Sequence, residues 1–182
     1  VISTLVVGPN ILYGDISGAI RESFLLIILF VVFFIIALSL RIHIYNPLGY
    51  VYMNRGLRHL KRHEYDTAIR YFTIAIEKAS KSFAIYHNRA LALSAQSKFD
   101  AALQDYDTAI QLNPRFATSY AMRAGILAQK EELEKALHDC EMAINLDTRN
   151  IWAYLVRGNV EITQKDFDAA IKSFRQCIRI NH

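Results

Sequence analysis

Two kinds of hydrophobic patterning divide this chain. From Ser23 to Leu40 it reads SFLLIILFVVFFIIALSL, eighteen residues without a charge, amide or proline. A helix packed on a globular core shows a polar stripe every three or four residues, and this segment has none. At about 1.5 Å per residue it spans about 27 Å, close to the roughly 30 Å hydrocarbon layer of a bilayer. The pattern predicts one transmembrane helix over 21–41, with residues 23–40 in contact with lipid. Residues 1–20 are apolar but broken by Gly8-Pro9-Asn10 and Asp15, which predicts an irregular or interfacial segment. Asp15 or Ser17 could cap the helix that follows. Ala37-Leu38-Ser39 loosely fits a signal-peptide cleavage site. The apolar run is longer than a typical signal core, however, and twenty-two residues precede it, so an anchor is the better reading.

From Gly49 the pattern changes. Apolar residues recur at helical spacing in paired blocks separated by short polar links. The whole arrangement then repeats every 34 residues: Tyr52, Tyr86, Tyr120 and Tyr154; Arg55, Arg89, Arg123 and Arg157; Ala68, Ala102, Ala136 and Ala170; Ile76, Ile110, Ile144 and Ile178. No insertion interrupts 49–182. Four coincident series at this interval predict four stacked helical hairpins, 49–82, 83–116, 117–150 and 151–182. Small residues at Gly56, Ala90, Ala124 and Gly158 let the two helices of a hairpin approach closely. Phe72, Tyr106, Cys140 and Phe174 fill the space between hairpins, and Tyr65, Phe99, Leu133 and Phe167 are expected to close the turns. Asp66, Asp100, Glu134 and Asp168 put negative charge on the first turn of each second helix, where the helix dipole favours it. A linker, 42–48, containing Pro47, is short enough to hold the solenoid against a membrane surface.

These residues resemble the tetratricopeptide-repeat family, and the resemblance covers 49–182. Counting from Gly49, the aromatic at position 4 is Tyr in all units, position 8 is Gly or Ala, and position 20 is always Ala. Position 24 is aromatic in three units, position 27 is Ala75, Ala109, Ala143 and Cys177, and the position-32 proline appears once, as Pro114. Departures are Arg rather than Leu at position 7, and His59 and Glu161 where position 11 is usually bulkier. The resemblance implies an all-α right-handed superhelix with helices near 49–62, 66–79, 83–96, 100–113, 117–130, 134–147, 151–164 and 168–181. It also implies that positions 2, 5, 9 and 12 of each first helix line a concave, protein-binding groove. The candidates there are Tyr50, Met53, Leu57 and Leu60; His87 and Leu91, with Ala84 and Ser94; and Trp152, Leu155, Asn159 and Ile162. The third unit supplies Thr118, Ala121, Gly125 and Ala128. This set is mostly apolar, and the Lys/Arg/Asn constellation with which similar proteins grip acidic chaperone tails is absent. It implies an apolar or amphipathic segment of another protein as ligand, with Trp152 as the hot spot. The plainer reading is that these side chains merely pack on a neighbouring repeat.

Charge adds orientation. The chain carries +4 overall and a pI near 9.1, split into −1 over residues 1–40 and +5 over the rest. No run of five Lys/Arg and no nucleic-acid motif occurs, so anionic headgroups are a better match for the basic portion than nucleic acid. Arg41, Arg55, Arg58, Lys61 and Arg62 follow the apolar helix, against Arg21 alone before it. The repeats are therefore expected on the cytoplasmic, stromal or matrix side of a single-pass protein. The Arg55/89/123/157 series reads as stems packed between helices with heads on the Asp66/100/Glu134/Asp168 carboxylates, or as a basic stripe for an acidic partner.

Chemistry is sparse. His59 and His63 could share a helix face as metal ligands, but no third ligand lies at a sensible spacing, so solvated histidines are the better reading. Cys140 and Cys177 fall on packing positions. No catalytic, cofactor or metal site is predicted, and an enzyme is not expected. The first residue is Val and the last falls inside a repeat, so the chain is expected to be a segment of a longer or processed protein. With no capping helix after Ile180, Phe167, Ile171, Phe174 and Ile178 should be partly uncovered. The functional expectation is a membrane-anchored scaffold or assembly factor. The alternatives are a permanent accessory subunit of a large membrane complex, photosynthetic or respiratory, or an import or recruitment receptor.

Overall fold

The computed structural model describes residues 24–35, 47–78 and 81–181. The chain divides into two units, Val1–Asn46 and Pro47–His182. In the first, residues 24–35 form a helix, α1, whose side chains are all exposed, between 46% and 71%. Among the described residues no helix is long and apolar enough to cross a membrane. The expected interfacial segment 1–20 and the flanks of the expected membrane helix, 21–23 and 36–41, lie outside the described residues.

The second unit contains α2 (Pro47–Lys61), α3 (Tyr65–Lys78), α4 (Phe83–Ala95), α5 (Phe99–Leu112), α6 (Ala117–Gln129), α7 (Leu133–Leu146), α8 (Ile151–Thr163) and α9 (Phe167–Asn181). They pair in sequence as four antiparallel hairpins, each packed on the next. Two boundaries differ from the sequence reading. The first hairpin starts at Pro47 rather than Gly49, because proline suits a helical first turn where no N–H bond is needed. The expected linker is shortened accordingly. The second helices begin one residue early, so Tyr65, Phe99, Leu133 and Phe167 open a helix rather than close a turn.

The cause of the second shift is the turn itself. In the first hairpin the Glu64 N–H donates to the His59 carbonyl and the His63 N–H to the Leu60 carbonyl, both at 3.0 Å. This is a Schellman ending, which needs a left-handed residue just past the helix. His63, Ser97, Glu131 and Lys165 fill that position with φ of 59°, 57°, 62° and 64°. Equivalent bonds recur at the other three turns, Lys98 to Leu93, Glu132 to Leu127 and Asp166 to Glu161. Two of the links between repeats use side chains instead: Asn113 Oδ1 accepts from the Arg115 N–H at 3.2 Å and Asp147 Oδ1 from the Arg149 N–H at 2.9 Å.

Packing repeats with a size exchange. A Cβ on Gly56 would lie 2.6 Å from the Phe72 ring, and one on Gly158 would lie 2.7 Å from the Phe174 ring. Where position 8 is alanine, the residue across is Tyr106 for Ala90 and Cys140 for Ala124. The next repeat then seals each hairpin: Ile85 and Ala92 join Phe72, Ile126 joins Tyr106, and Val160 joins Cys140. The core is thus one row of buried junctions. Cys140 and Cys177 are buried free thiols, and burial pushes Cys140 up to about 12, so it stays protonated. As expected, Phe167, Ile171 and Ile178 are exposed on α9 and Phe174 is half-buried.

Candidate protein-binding groove

First helices of successive repeats touch one another (α2 with α4, α4 with α6, α6 with α8), and no comparable contact joins second helices among the described residues. The first helices therefore lie on the inside of the curve. Their positions 2, 5, 9 and 12 do not all reach its surface.

In the first repeat Tyr50 is exposed, whereas Met53, Leu57 and Leu60 pack against the cluster around Phe72. Leu91 packs likewise on the cluster around Tyr106. His87 is the clearest departure from the sequence reading: only 6% exposed, it lies under the surface rather than on it. Its Nδ1 pairs with Ser119 Oγ at 3.0 Å, and its ring meets Phe116 and Tyr106 edge-on with centroids 5.0 and 5.6 Å apart. Burial lowers its pKa to about 4, so it is neutral near pH 7.

The fourth repeat keeps its candidates at the surface. Trp152 is 58% exposed, Ile162 and Asn159 are exposed, and Leu155 is half-buried. Between α6 and α8 the surface opens into a notch of about 290 Å³, lined by Gly125, Ala128, Leu133, Val156, Asn159 and Thr163 among others. A Cβ on Gly125 would meet only Val156, at 3.8 Å. Val156, Thr163 and Leu133 were not among the expected lining. The legible signal was position 9, which is Leu57 and Leu91 in the first two repeats and Gly125 and Asn159 in the last two. Losing a leucine from each of the two walls leaves the notch.

The arginine series takes a different carboxylate from the one expected. Arg89 grips Asp105 with two bonds of 2.7 Å, and Arg123 grips Asp139 in the same way. Both acids sit sixteen residues on and face inward, whereas Asp66 and Asp100 point to lysines, Lys98 and Lys130. The second helix's dipole-facing acid lies on its outer turn and does not face the arginine. Arg123 also reaches back to Asp107 of the preceding repeat at 2.6 Å, and Arg89 to Thr73 at 3.2 Å. These bonds raise both guanidinium pKa values. In the fourth repeat Ser173 replaces the acid, bonding Arg157 at 2.9 Å and Glu161 at 2.7 Å. In the first repeat Tyr71 stands there, stacked on His59, while each arginine also lies over its own position-4 tyrosine. The ladder is thus structural from Arg89 onward. A recess of about 610 Å³ beside Arg123 is lined by charges that already have partners.

His59 and His63 are engaged separately, His59 Nδ1 with Glu64 and His63 Nδ1 with the Tyr65 hydroxyl. Among the described residues no group of three or more His, Cys, Asp or Glu is placed to hold a metal ion.

The tetratricopeptide-repeat profile matches residues 83–116 and 153–181. Solved structures share the fold. The first such domain of Spaghetti (RPAP3), bound to the HSP90 peptide SRMEEVD, aligns at 24% identity over 66% of this chain and 96% of its own, with a TM-score of 0.64. MamA aligns at 19% identity over 99% of this chain and 96% of its own, with a TM-score of 0.68. The second domain of human RPAP3, in complex with the HSP70 peptide SGPTIEEVD, aligns at 23% over 64% of this chain and 97% of its own, with a TM-score of 0.61. No curated protein matches the chain in sequence. Residues 83–116 and 153–181 thus match tetratricopeptide repeats, and the helices of 47–181 stack as an all-α solenoid of the same fold.

Proposed function

We propose that this chain is a membrane-anchored scaffold whose repeats hold an apolar or amphipathic segment of another protein, most readily a subunit of a membrane complex. The observation that carries the reading is the inner face of α8, where Trp152 and Ile162 stand exposed on the helix that walls the Gly125 notch. A large exposed indole on the helix that walls a small recess is an arrangement that concentrates binding energy. Related folds hold the acidic peptides SRMEEVD and SGPTIEEVD. This groove lacks the Lys/Arg/Asn set for such a ligand, so an apolar segment suits it better. Tyr50, Leu155, Asn159 and Ile162 are the supporting contacts; Met53, Leu57, Leu60 and Leu91 shape the floor.

The anchor is residues 23–40, supported by the exposed apolar side chains along all of 24–35, which water solvates poorly. By the excess of Lys/Arg after this segment, the repeats face the cytoplasm, stroma or matrix. Alkaline carbonate extraction tests the anchor: the chain should stay in the membrane pellet, and release to the supernatant would sink that part. Affinity capture of the tagged chain from its native membranes, with mass spectrometry, tests the groove. A membrane-complex subunit should be recovered, and recovery unchanged by Trp152→Ala would count against the site.

A second reading, a permanent subunit, is favoured by one feature. The outer face of α9 exposes Phe167, Ile171 and Ile178 together. Capture at fixed stoichiometry that survives high salt would favour it over transient assembly.

A further inference from the structure

The first helix, α2, differs from α4, α6 and α8 on the side that faces the preceding repeat. At position 3 those helices place Ile85, Ser119 and Ala153, and at position 10 Ala92, Ile126 and Val160, all buried. The same positions of α2 carry Val51, 43% exposed, and Arg58, also exposed. Leu48, Val51, Arg55 and Arg58 recur on α2 at spacings of three and four, within an arc of about 80° at 100° per residue, and Arg62 follows one residue past its end. All five are exposed. Among the described residues no carboxylate pairs with Arg55, Arg58 or Arg62, whereas Arg89 and Arg123 are each paired. One stripe thus runs from apolar at its start to tri-cationic at its end. A charged outer face alone would serve solubility, as terminal repeats require. That role does not call for exposed Leu48 and Val51 in the same row.

We propose that this stripe is a docking face for an anionic bilayer surface. Leu48 and Val51 enter the headgroup region, and the guanidiniums of Arg55, Arg58 and Arg62 contact lipid phosphates. The chemistry is complementary: arginine forks match phosphate oxygens, and basic residues beside an acidic leaflet gain attraction that falls off within a Debye length. Connectivity agrees, since only six residues, 41–46, separate the proposed anchor from α2, a reach of at most about 22 Å. The inference rests on the membrane-anchored reading above and assigns the surface that reading leaves open.

The test uses the full chain with Trp152→Phe and Val51→Trp, leaving one indole, on the stripe. The protein is mixed with vesicles containing brominated phosphatidylcholine alone, or with about a third brominated phosphatidylglycerol. Quenching of Trp emission reports contact, and flotation with neutral vesicles separately reports the anchor. Circular dichroism confirms that each variant keeps its helices. Strong quenching is expected only with the anionic lipid, and it should be lost in 0.5 M salt or after Arg55→Glu, Arg58→Glu and Arg62→Glu together. The docked-to-undocked ratio read from quenching should fall about fivefold per arginine removed. Equal quenching in neutral vesicles, quenching that survives charge reversal, or none in either vesicle would overturn the docking face. Failure to float would instead remove the anchor, while the anionic arm still decides the stripe.

Discussion

Arg123 holds Asp139 through two parallel hydrogen bonds of 2.7 Å, with the Asp139 side chain only 2% exposed. A buried carboxylate so held depends entirely on its partner. Arg123→Ala should therefore cost about 3–5 kcal/mol of unfolding free energy, since it strands a charge in the interior. Arg55→Ala, at the same position but exposed and without a carboxylate, should stay within about 0.5 kcal/mol. Urea titrations of the two variants make the comparison; equal losses would refute the structural role of the ladder.

Gly158→Ala should destabilise, although alanine favours a helix by about 1 kcal/mol over glycine. The new methyl would lie 2.7 Å from the Phe174 ring. Overpacking costs about 1–3 kcal/mol, so a net loss of about 1 kcal/mol is expected. Adding Phe174→Cys, which copies the Ala124/Cys140 pairing, should relieve the clash. Thermal unfolding of the single and double variants checks this.

His87 makes stability depend on pH in a fixed direction. Its pKa is about 4 when folded against about 6.5 unfolded, so the unfolded chain takes up the proton first. The contribution is complete above pH 6.5, shrinks as pH falls, and is lost below about pH 4. Two and a half units correspond to about 3 kcal/mol. His87→Leu with Ser119→Ala, which removes both polar partners, should flatten the curve between pH 6.5 and 4. Parallel loss in the two proteins would refute the assignment.

For the groove, Trp152→Ala should weaken binding of the captured partner by more than about 1 kcal/mol, or more than fivefold. Gly125→Leu, restoring the leucine that stands at position 9 in the first two repeats, should fill the notch and weaken binding similarly. It should leave unfolding unchanged within about 1 kcal/mol, because the side chain enters an open notch and its Cβ meets only Val156, at 3.8 Å. Calorimetric titration with partner peptide measures both.

Ser97→Gly should stabilise by about 0.5–1 kcal/mol, because only glycine adopts φ near 57° without steric cost. A lower melting temperature would contradict the left-handed assignment.

Much of this fold was legible because hairpin packing is local and repeats at one interval. The Ala68/102/136/170 series and the Gly56 and Gly158 contacts followed from residue size at fixed positions. The turns were less visible. Their left-handed residue is usually glycine, and here His63, Ser97, Glu131 and Lys165 hide it. The arginine partners were misassigned because Asp105 and Asp139 sit where Tyr71 and Ser173 stand in the outer repeats, so no complete acidic series announced them. His87 could not be told from a groove residue by periodicity, since its depth depends on Phe116 in the link that ends its repeat and on Ser119 of the next. The notch was implicit in Gly125 and Asn159, but only as missing bulk.

The four turns share one further property. Backbone bonds recur in all of them, and the exposed apex residues Ser97, Glu131 and Lys165 answer to neither the interior nor the inner groove. That rim can be relabelled freely: a fluorophore at Ser97 or an affinity handle at Lys165 would report on the protein without touching what it binds.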